Sequence, residues 1–343
     1  MTQAANLAAL GTNAGTTGIL PAAGGGTGTT AGVTGFKNRI INGGMVVNQY
    51  QAGTVSPTSG ASFIVDRFWA QQSGTPTITV QQSSTAPAGF TNSLLATVTS
   101  SGTPSGTNYY DICQRIEGYN IADLGWGTAN AKAVTLSFWV NSSLIGTYSL
   151  TLGNVGSGSG RWYVTTYTVS AANTWQQITL NILGDTTGTW NSTNSLGIGI
   201  VWGLGSGSTY ATTPTSAWQT GTTYLFASGV TNFVGNNGAT FYITGVQLEV
   251  GSTATSFDVR SYGTELGLCQ RYYAFGGNSF FGSYGGSSSG VIMLFYKVSM
   301  RATPTITSTL AGSSGSGVST EVGNIYIPTN STSPTTWTAS AEL

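Results

Sequence analysis

The chain has 343 residues, ten basic and ten acidic side chains, no histidine and a formal net charge of +0. Charged residues make up 6%, against roughly a quarter in ordinary soluble domains, so the attraction that drives nucleic-acid binding is missing. Apolar residues at 39%, with nine Trp, sixteen Tyr and thirteen Phe, exclude ordinary disorder, and no apolar run reaches the roughly 18 residues a membrane span needs.

Residues 1–35 read as a separate zone. MTQAANLAAL is expected to form a short helix through Ala5, Leu7, Ala8 and Leu10. It lacks the basic start and unbroken apolar run of a signal peptide, so synthesis in a cytoplasm without Sec export is expected. PAAGGGTGTTAGVTG reads as a flexible linker, about 15 residues spanning on the order of 20 Å. The folded part opens at FKNRIINGGMVVNQYQ, where Ile40, Ile41, Met45 and Val47 flank an Asn-Gly-Gly turn. SFIVDRFWAQ reads as one strand, with Phe63, Val65 and Arg67 on one face and Ile64, Asp66 and Phe68 on the other. Adjacent Asp66 and Arg67 would then need separate partners, one of them on the ICQRIEG strand. TPTITVQQ and SLLATVTS follow as strands around a Pro87–Gly89 turn.

Tyr109 to Gly127 holds the densest charge. Tyr110, Ile112, Gln114 and Ile116 share one face; Asp111, Cys113, Arg115 and Glu117 share the other, where cross-strand Arg–carboxylate pairing is expected. NIADLGWG reads as one helical turn capped by Asn120 and ended by Gly125. Val134, Leu136, Phe138 and Val140 then alternate with Thr135, Ser137 and Trp139 in a clean period of two. Tyr163–Val169, Ile178–Ile182 and Leu196–Trp202 repeat the pattern, and Gly156–Gly160 reads as a loop. LGSGS after Trp202 has no following helix and no nearby lysine, so it is no phosphate loop. Short strands punctuated by Gly- and Ser-rich turns imply a sandwich.

In ATFYITGVQLEV the apolar positions move from odd (Phe241, Ile243) to even (Val246, Leu248, Val250) across Gly245. A change of parity without a break means one extra residue, a β-bulge at the glycine; two short strands with a turn are the alternative. Beyond Ser261 the chain reads as a smaller β domain, 261–343. It holds a short helix in SYGTELGLCQ and strands in VIMLFYKVSM, MRATPTITSTL, VGNIYIP and TTWTASAEL. The glycine-framed Phe280, Phe281 and Tyr284 are candidate ligand contacts, or else subunit-interface or hairpin residues. Trp190, Tyr210 and Trp218, in long loops, are further ligand candidates; Trp126, Trp139 and Trp175 read as core or core edge.

The two cysteines, Cys113 and Cys269, lie 156 apart, each in a Cys-Gln-Arg triplet with apolar neighbours. Buried thiols are expected, a bond between them being the alternative. No zinc site and no cofactor are expected, while a calcium site built on carbonyls stays open. Paired acids for glycoside hydrolysis must lie about 5–9.5 Å apart. Asp111 and Glu117, near 20 Å apart in an extended strand, fail that test. For Asp111 with Asp123, or Glu249 with Asp258, the sequence leaves the separation open.

FYITGVQLEVGSTATSFDVR followed by YGTELGLCQRYY, with KNRIINGGM, VDRFWAQ, ICQRIEGYNIADLGWGTANAKAVTLSFWV and TYTVSAANTWQQITLNILGDTTGTW upstream in that order, resembles phage tail-fibre and tail-tip proteins. The resemblance runs from Phe36 to Tyr273, about two thirds of the chain. TWQQITLNI and the final sandwich strand also resemble carbohydrate-binding modules. The resemblance implies an all-β architecture, a jelly-roll β-sandwich over 36–260 followed by the smaller domain. It also implies a virion-attachment segment over 1–35 that meets tail or baseplate proteins, and a homotrimer. The expected partner is host surface polysaccharide or lipopolysaccharide, with no enzymatic activity. A purely architectural virion protein and a polysaccharide depolymerase are the alternatives.

Overall fold

The computed structural model describes residues 36–50, 53–154, 160–221, 226–277, 289–309, 313–328 and 336–343. The expected helix at Ala5–Leu10, the linker, most of the Gly156–Gly160 tract and Phe280, Phe281 and Tyr284 lie outside them.

The protein is all-β, a jelly-roll sandwich of two antiparallel sheets. One sheet orders β1 (Ser62–Val65), β2 (Phe68–Ser73), β5 (Tyr109–Glu117), β10 (Leu196–Ser206), β7 (Gly146–Gly153), β8 (Gly160–Val169) and β12 (Trp218–Gly221). The other orders β3 (Thr77–Ser83), β4 (Ser93–Ser100), β14 (Thr240–Val250), β6 (Val134–Ser142) and β9 (Gln176–Ile182). Two short strands, β11 (Ala211–Thr212) and β13 (Phe226–Ala227), pair in parallel beside the seven-stranded sheet. The inward residues of both sheets interdigitate. Val134, Leu136, Phe138 and Val140 from one meet Tyr110, Ile112, Tyr148, Ile200 and Trp202 from the other, all fully buried. Phe138 packs edge-on against both Tyr167 and Trp202. Burying each such side chain stabilises by about 1.5–3 kcal/mol before entropy is counted.

The parity change in β14 is a bulge. Thr244 pairs with Trp139 and Gln247 with Ser137, so Gly245 and Val246 together oppose Phe138. Gly245 has φ of 61°, left-handed backbone that glycine adopts without a Cβ penalty. The amide freed by the bulge is satisfied elsewhere: Val246 N–H donates to the Gly43 carbonyl at 3.0 Å. Residue 43 must be glycine for a different reason, since a Cβ there would collide with the Val246 carbonyl. The Asn-Gly-Gly turn thus serves the bulge across the fold rather than joining two strands.

Three expectations change. SFIVDRFWAQ is a hairpin, not one strand. The chain reverses at Asp66 and Arg67, where Arg67 has φ of 69°, and Phe63 pairs with Trp69. The reversal lets both charges turn inward with partners of their own. Asp66 accepts from the Gln49 amide N–H (2.6 Å) and side chain (2.5 Å); Arg67 pairs with Glu342 and donates to the Arg115 carbonyl at 2.6 Å. Of the two, then, only Arg67 reaches the ICQRIEG strand, and through backbone. Second, the outer face of β5 holds no Arg–carboxylate pair of its own. Glu117 pairs instead with Arg271 (2.6 Å) and Tyr272 (2.7 Å) from beyond residue 260, and Arg115 donates to the Leu343 carbonyl. Third, NIADLGWG is two 3₁₀ turns, Gly118–Asn120 and Ala122–Leu124, without a side-chain cap; Gly125 does end the second in the left-handed region.

After the sandwich comes one helix, α1 (Tyr262–Gln270), then two three-stranded sheets. One orders β15 (Tyr273–Gly277), β20 (Thr336–Ser340) and β17 (Thr305–Ser308); the other orders β16 (Ser289–Phe295), β19 (Val322–Pro328) and β18 (Ser314–Gly317). Leu294, Met300, Ile306, Ile325, Trp337 and Ala339 form their own core. The helix and four of these strands match the sequence expectation. β15 and β18 escape it: β18 is Ser-Gly-Ser-Gly and pairs through backbone with no apolar pattern.

Candidate functional site

The outward parity of the five-stranded sheet sets out a row of rings. Thr135, Ser137, Trp139 and Asn141 of β6 point away from the core that Leu136 and Phe138 fill. Tyr242 of β14 lies opposite Asn141, two residues from the Thr244 that faces Trp139, a diagonal of roughly 7–8 Å between neighbouring strands. Trp175, just before β9, meets Tyr242 edge-on at 6.0 Å. On the other side Phe90 and Trp139 both reach over Gly245, whose missing Cβ would stand 2.7 Å from one ring and 2.9 Å from the other. Phe257 continues the row, edge-on to Phe90 at 5.0 Å. All five rings are half-buried.

The strand residues around these rings are hydroxyls and amides: Thr79, Gln81, Thr97, Asn141, Gln177 and Thr179. The one charged side chain on these five strands, Glu249 opposite Thr135, is 4% exposed and accepts from Gln247 and Thr255. Such a face offers flat apolar patches flanked by uncharged donors and acceptors, which suits a neutral polyhydroxylated chain. Trp139 and Trp175 are therefore surface rings rather than core. The signal was in the sequence, since Trp139 alternates with the buried Phe138 and Val140.

Trp190 and Trp218 come together elsewhere, at one end of the sandwich, with Trp126. The three indoles meet edge-to-face at 4.8 to 5.2 Å, and Tyr163 joins Trp218 at 5.4 Å. Their N–H groups turn inward: Trp126 donates to the Lys132 carbonyl (2.8 Å), Trp218 to the Leu183 carbonyl (2.7 Å) and Trp190 to Asp185 (3.3 Å). Asp185 is held by Arg161 through two hydrogen bonds of 2.7 and 2.8 Å; they hold its carboxyl below the usual carboxylate range although burial opposes this. With ring edges, faces and N–H groups already engaged, this cluster closes the end of the barrel-like core.

Tyr210 sits apart from both groups. It rides a 3₁₀ turn, Ser208–Tyr210, and meets Tyr109 edge-on at 5.7 Å over the outer face of β5. Trp69, Cys113, Val201 and Phe226 fill the space beneath. Cys113 and Cys269 are both buried and unbonded, their thiols pushed well up by burial.

The acid pairs considered for hydrolysis are each drawn to other partners. Asp123 is exposed and pairs with Arg39 at 2.7 Å, while Asp111 accepts from the Cys113 thiol at 3.1 Å. Glu249 accepts from Gln247 (2.8 Å) and Thr255 (2.7 Å), and Asp258 accepts from the Asn38 amide at 3.2 Å. Among the described residues no three His, Cys, Asp or Glu side chains gather to hold a metal, and no helix is long and apolar enough to cross a membrane.

No protein-family model matches the chain, and no curated protein matches it. Several solved structures are similar. The tailspike protein 4 enzymatically active domain of Bacteriophage CBA120 is 14% identical over 63% of this chain, with a TM-score of 0.34. This chain covers only 22% of that protein. A putative sugar binding protein from Bacteroides thetaiotaomicron is 11% identical over 62% of this chain and 100% of its own, with a TM-score of 0.36. A CBM22-1 xylan-binding domain from Paenibacillus barcinonensis is 10% identical over 64% of this chain and 97% of its own, with a TM-score of 0.32.

Proposed function

We propose that this protein is a glycan-binding adhesin of a phage tail, a fibre or tail-tip component that acts by adhesion and not by covalent chemistry. The observation that carries the reading is the row Phe257, Phe90, Trp139, Tyr242 and Trp175 over a sheet face of hydroxyls and amides whose one strand charge, Glu249, is buried. Trp139 and Tyr242, half-sunk in strands of the sheet, lose little freedom when a sugar ring lies on them, and neighbouring amides and hydroxyls can take its hydroxyl groups. The uncharged neighbours of Trp139 and Tyr242 favour neutral sugars over sulfated or uronic ones. The likeness of several ordered motifs to tail-fibre proteins supports the virion role, with tail or baseplate proteins as partners at the N-terminal segment and a homotrimer as the assembly. A trimer raises a weak single-site affinity by roughly 10²–10⁴ through multivalency.

The test is binding of the full chain to purified surface polysaccharides and to lipopolysaccharide, alongside Trp139→Ala and Tyr242→Ala. Each variant is expected to lose at least about tenfold in affinity, the size of one lost stacking contact, while its melting midpoint stays within a few degrees of the parent. Unchanged binding by both variants refutes the assigned face, and a protein that binds no surface glycan is an architectural virion component. Release of oligosaccharides on incubation would refute the non-enzymatic reading. A monomeric mass in solution would refute the assembly.

A further inference from the structure

The bulge in β14 decides which side chains reach the outer face on either side of it. Before it, Tyr242 and Thr244 face outward. After it, the shift of parity turns Gln247 and Glu249 outward, while Val246 and Leu248 stay in the core. Thr244, Gln247 and Glu249 each tie down a loop. The Thr244 hydroxyl donates to the Asn92 carbonyl at 2.7 Å and so anchors the turn that carries Phe90. Glu249 accepts from the Thr255 amide (2.9 Å) and hydroxyl (2.7 Å), and Gln247 accepts from the Asp258 amide at 2.8 Å. These bonds lay the segment after β14 back over its own strand and leave Gln247 and Glu249 buried beneath it. Phe257 rides on that segment. Its ring meets Phe90 at 5.0 Å, with the two planes 68° apart, and lies beside Gly44.

The row of rings is therefore two units. Trp139 and Tyr242 stand on strands, and Phe90 and Phe257 stand on loops anchored to β14. The units adjoin over Gly245, where Phe90 and Trp139 both crowd the place of the missing Cβ.

We infer that Phe90 and Phe257 form a second sugar subsite beside the one on Trp139 and Tyr242, so that the ligand is a run of consecutive neutral sugars in one chain and not a single terminal sugar. The inference rests on the glycan reading of this face. Two rings set at a steep angle make a corner: one offers its flat side to a sugar and the other closes on the sugar's edge. One sugar ring is too small to lie on both units, whereas neighbouring sugars of one chain can. Once the first sugar is seated, the second contact is intramolecular, so a weak corner still adds affinity. Thr255 is a positioning residue, acting through Glu249 on the segment that presents Phe257. A Phe90–Phe257 pair that merely pins the loop would make no distinction between short and long ligands.

The experiment takes the surface polysaccharide that the full chain binds, cuts it by partial hydrolysis, and measures binding of the disaccharide and hexasaccharide fractions by ligand-observed NMR. Phe257→Ala is expected to lose about tenfold toward the hexasaccharide and nothing toward the disaccharide, while Trp139→Ala loses on both. Thr255→Val, which removes one bond to Glu249 and keeps every ring, should weaken the hexasaccharide several-fold, and Thr255→Ser should bind as the parent does. Phe257→Ala combined with Thr255→Val should bind no worse than Phe257→Ala alone, because both act on one contact. All these positions are half-buried or exposed, and melting midpoints close to the parent's are expected. Equal loss on both lengths, or no loss, for Phe257→Ala overturns the second subsite; continued loss by Trp139→Ala then leaves the glycan face standing. Unchanged binding by Thr255→Val overturns the positioning role. A Trp139→Ala variant that binds both lengths as the parent does, or a parent that binds no polysaccharide, overturns the face and the subsite together.

Discussion

Replacing Gly245 with alanine tests the bulge and the ring row together. Two costs arise. The backbone at φ of 61° is left-handed, worth roughly 1–2 kcal/mol to an L residue. The new methyl would stand 2.7 Å from the Phe90 ring and 2.9 Å from Trp139, closer than carbon atoms approach. Overpacking of this kind costs about 1–3 kcal/mol, and because both rings are half-exposed and can tilt, the low end applies. The sum is about 2–4 kcal/mol. Gly238→Ala is the control: its φ of 76° is also left-handed, but nothing lies within 4 Å of the new carbon. Only the backbone cost should appear there. Chemical denaturation of both variants gives the difference directly, expected at about 1–2 kcal/mol in the direction of Gly245. Glycan affinity should fall for Gly245→Ala alone, since only that methyl displaces Phe90 and Trp139. Equal destabilisation by the two substitutions would refute the contact between the rings over the bulge. No destabilisation by either would refute the left-handed backbone.

Breaking the Arg67–Glu342 pair, whose side chains are 1% and 8% exposed, leaves a buried charge. Glu342→Ala should therefore cost about 3–5 kcal/mol in denaturant, and Arg67→Met combined with Glu342→Leu should cost much less. Asp111 should make stability fall with pH. Its folded-state value near 7 lies above the ordinary 3.8, so the native state holds the extra proton between those values. Its contribution is complete below 3.8 and lost as pH rises through 7, up to about 4 kcal/mol. Asp111→Asn should accordingly gain on the parent across that window and run parallel to it above, as denaturation at several pH values would show. Trp218→Ala, at the closed end of the sandwich, should approach the ~3–5 kcal/mol of a core tryptophan deletion yet leave glycan affinity unchanged. Trp139→Ala should do the reverse, and a calorimetric melt beside a binding isotherm distinguishes them.

Period-two patterning made most of the sandwich legible. Val134 to Val140 announces both its strand and its buried face, and the parity shift at Gly245 announces the bulge. What the pattern cannot carry is the partner of that bulge: Gly43 lies about two hundred residues away, and nothing local says that its carbonyl takes the Val246 amide. The Asp66–Arg67 hairpin was misread because alternation in SFIVDRFWAQ continues smoothly through it. The turn is stabilised by Glu342 and by the Tyr272 ring, which lies 3.6 Å from the guanidinium carbon, both from the far end of the chain. The ring row was half legible. Parity places Trp139 and Tyr242 on the outer face, but Phe90, Trp175 and Phe257 join them from loops whose positions only tertiary structure fixes. Tyr210 meets Tyr109 over a similarly non-local contact.

The charge balance acquires a meaning in the fold that composition could not give it. A chain so poor in ions could have scattered them for solubility. Instead several are drawn into the seam between the sandwich and the segment beyond residue 260. Arg67 holds Glu342, Arg271 holds Glu117, Arg115 holds the Leu343 carbonyl, and Arg301 holds the Asn194 carbonyl at 2.6 Å. Tyr50 adds a hydrogen bond to Glu342 and stacks on Tyr273. Pairs of this kind contribute little through net stability, because desolvation offsets their attraction, but misplacing either half strands a charge. They therefore fix the orientation of the C-terminal sheets against the sandwich more strictly than an apolar seam would. The same placement leaves the buried Glu249 as the one charge on the strands around Trp139 and Tyr242. A rigid joint and a sheet face with little exposed charge are then two consequences of one arrangement.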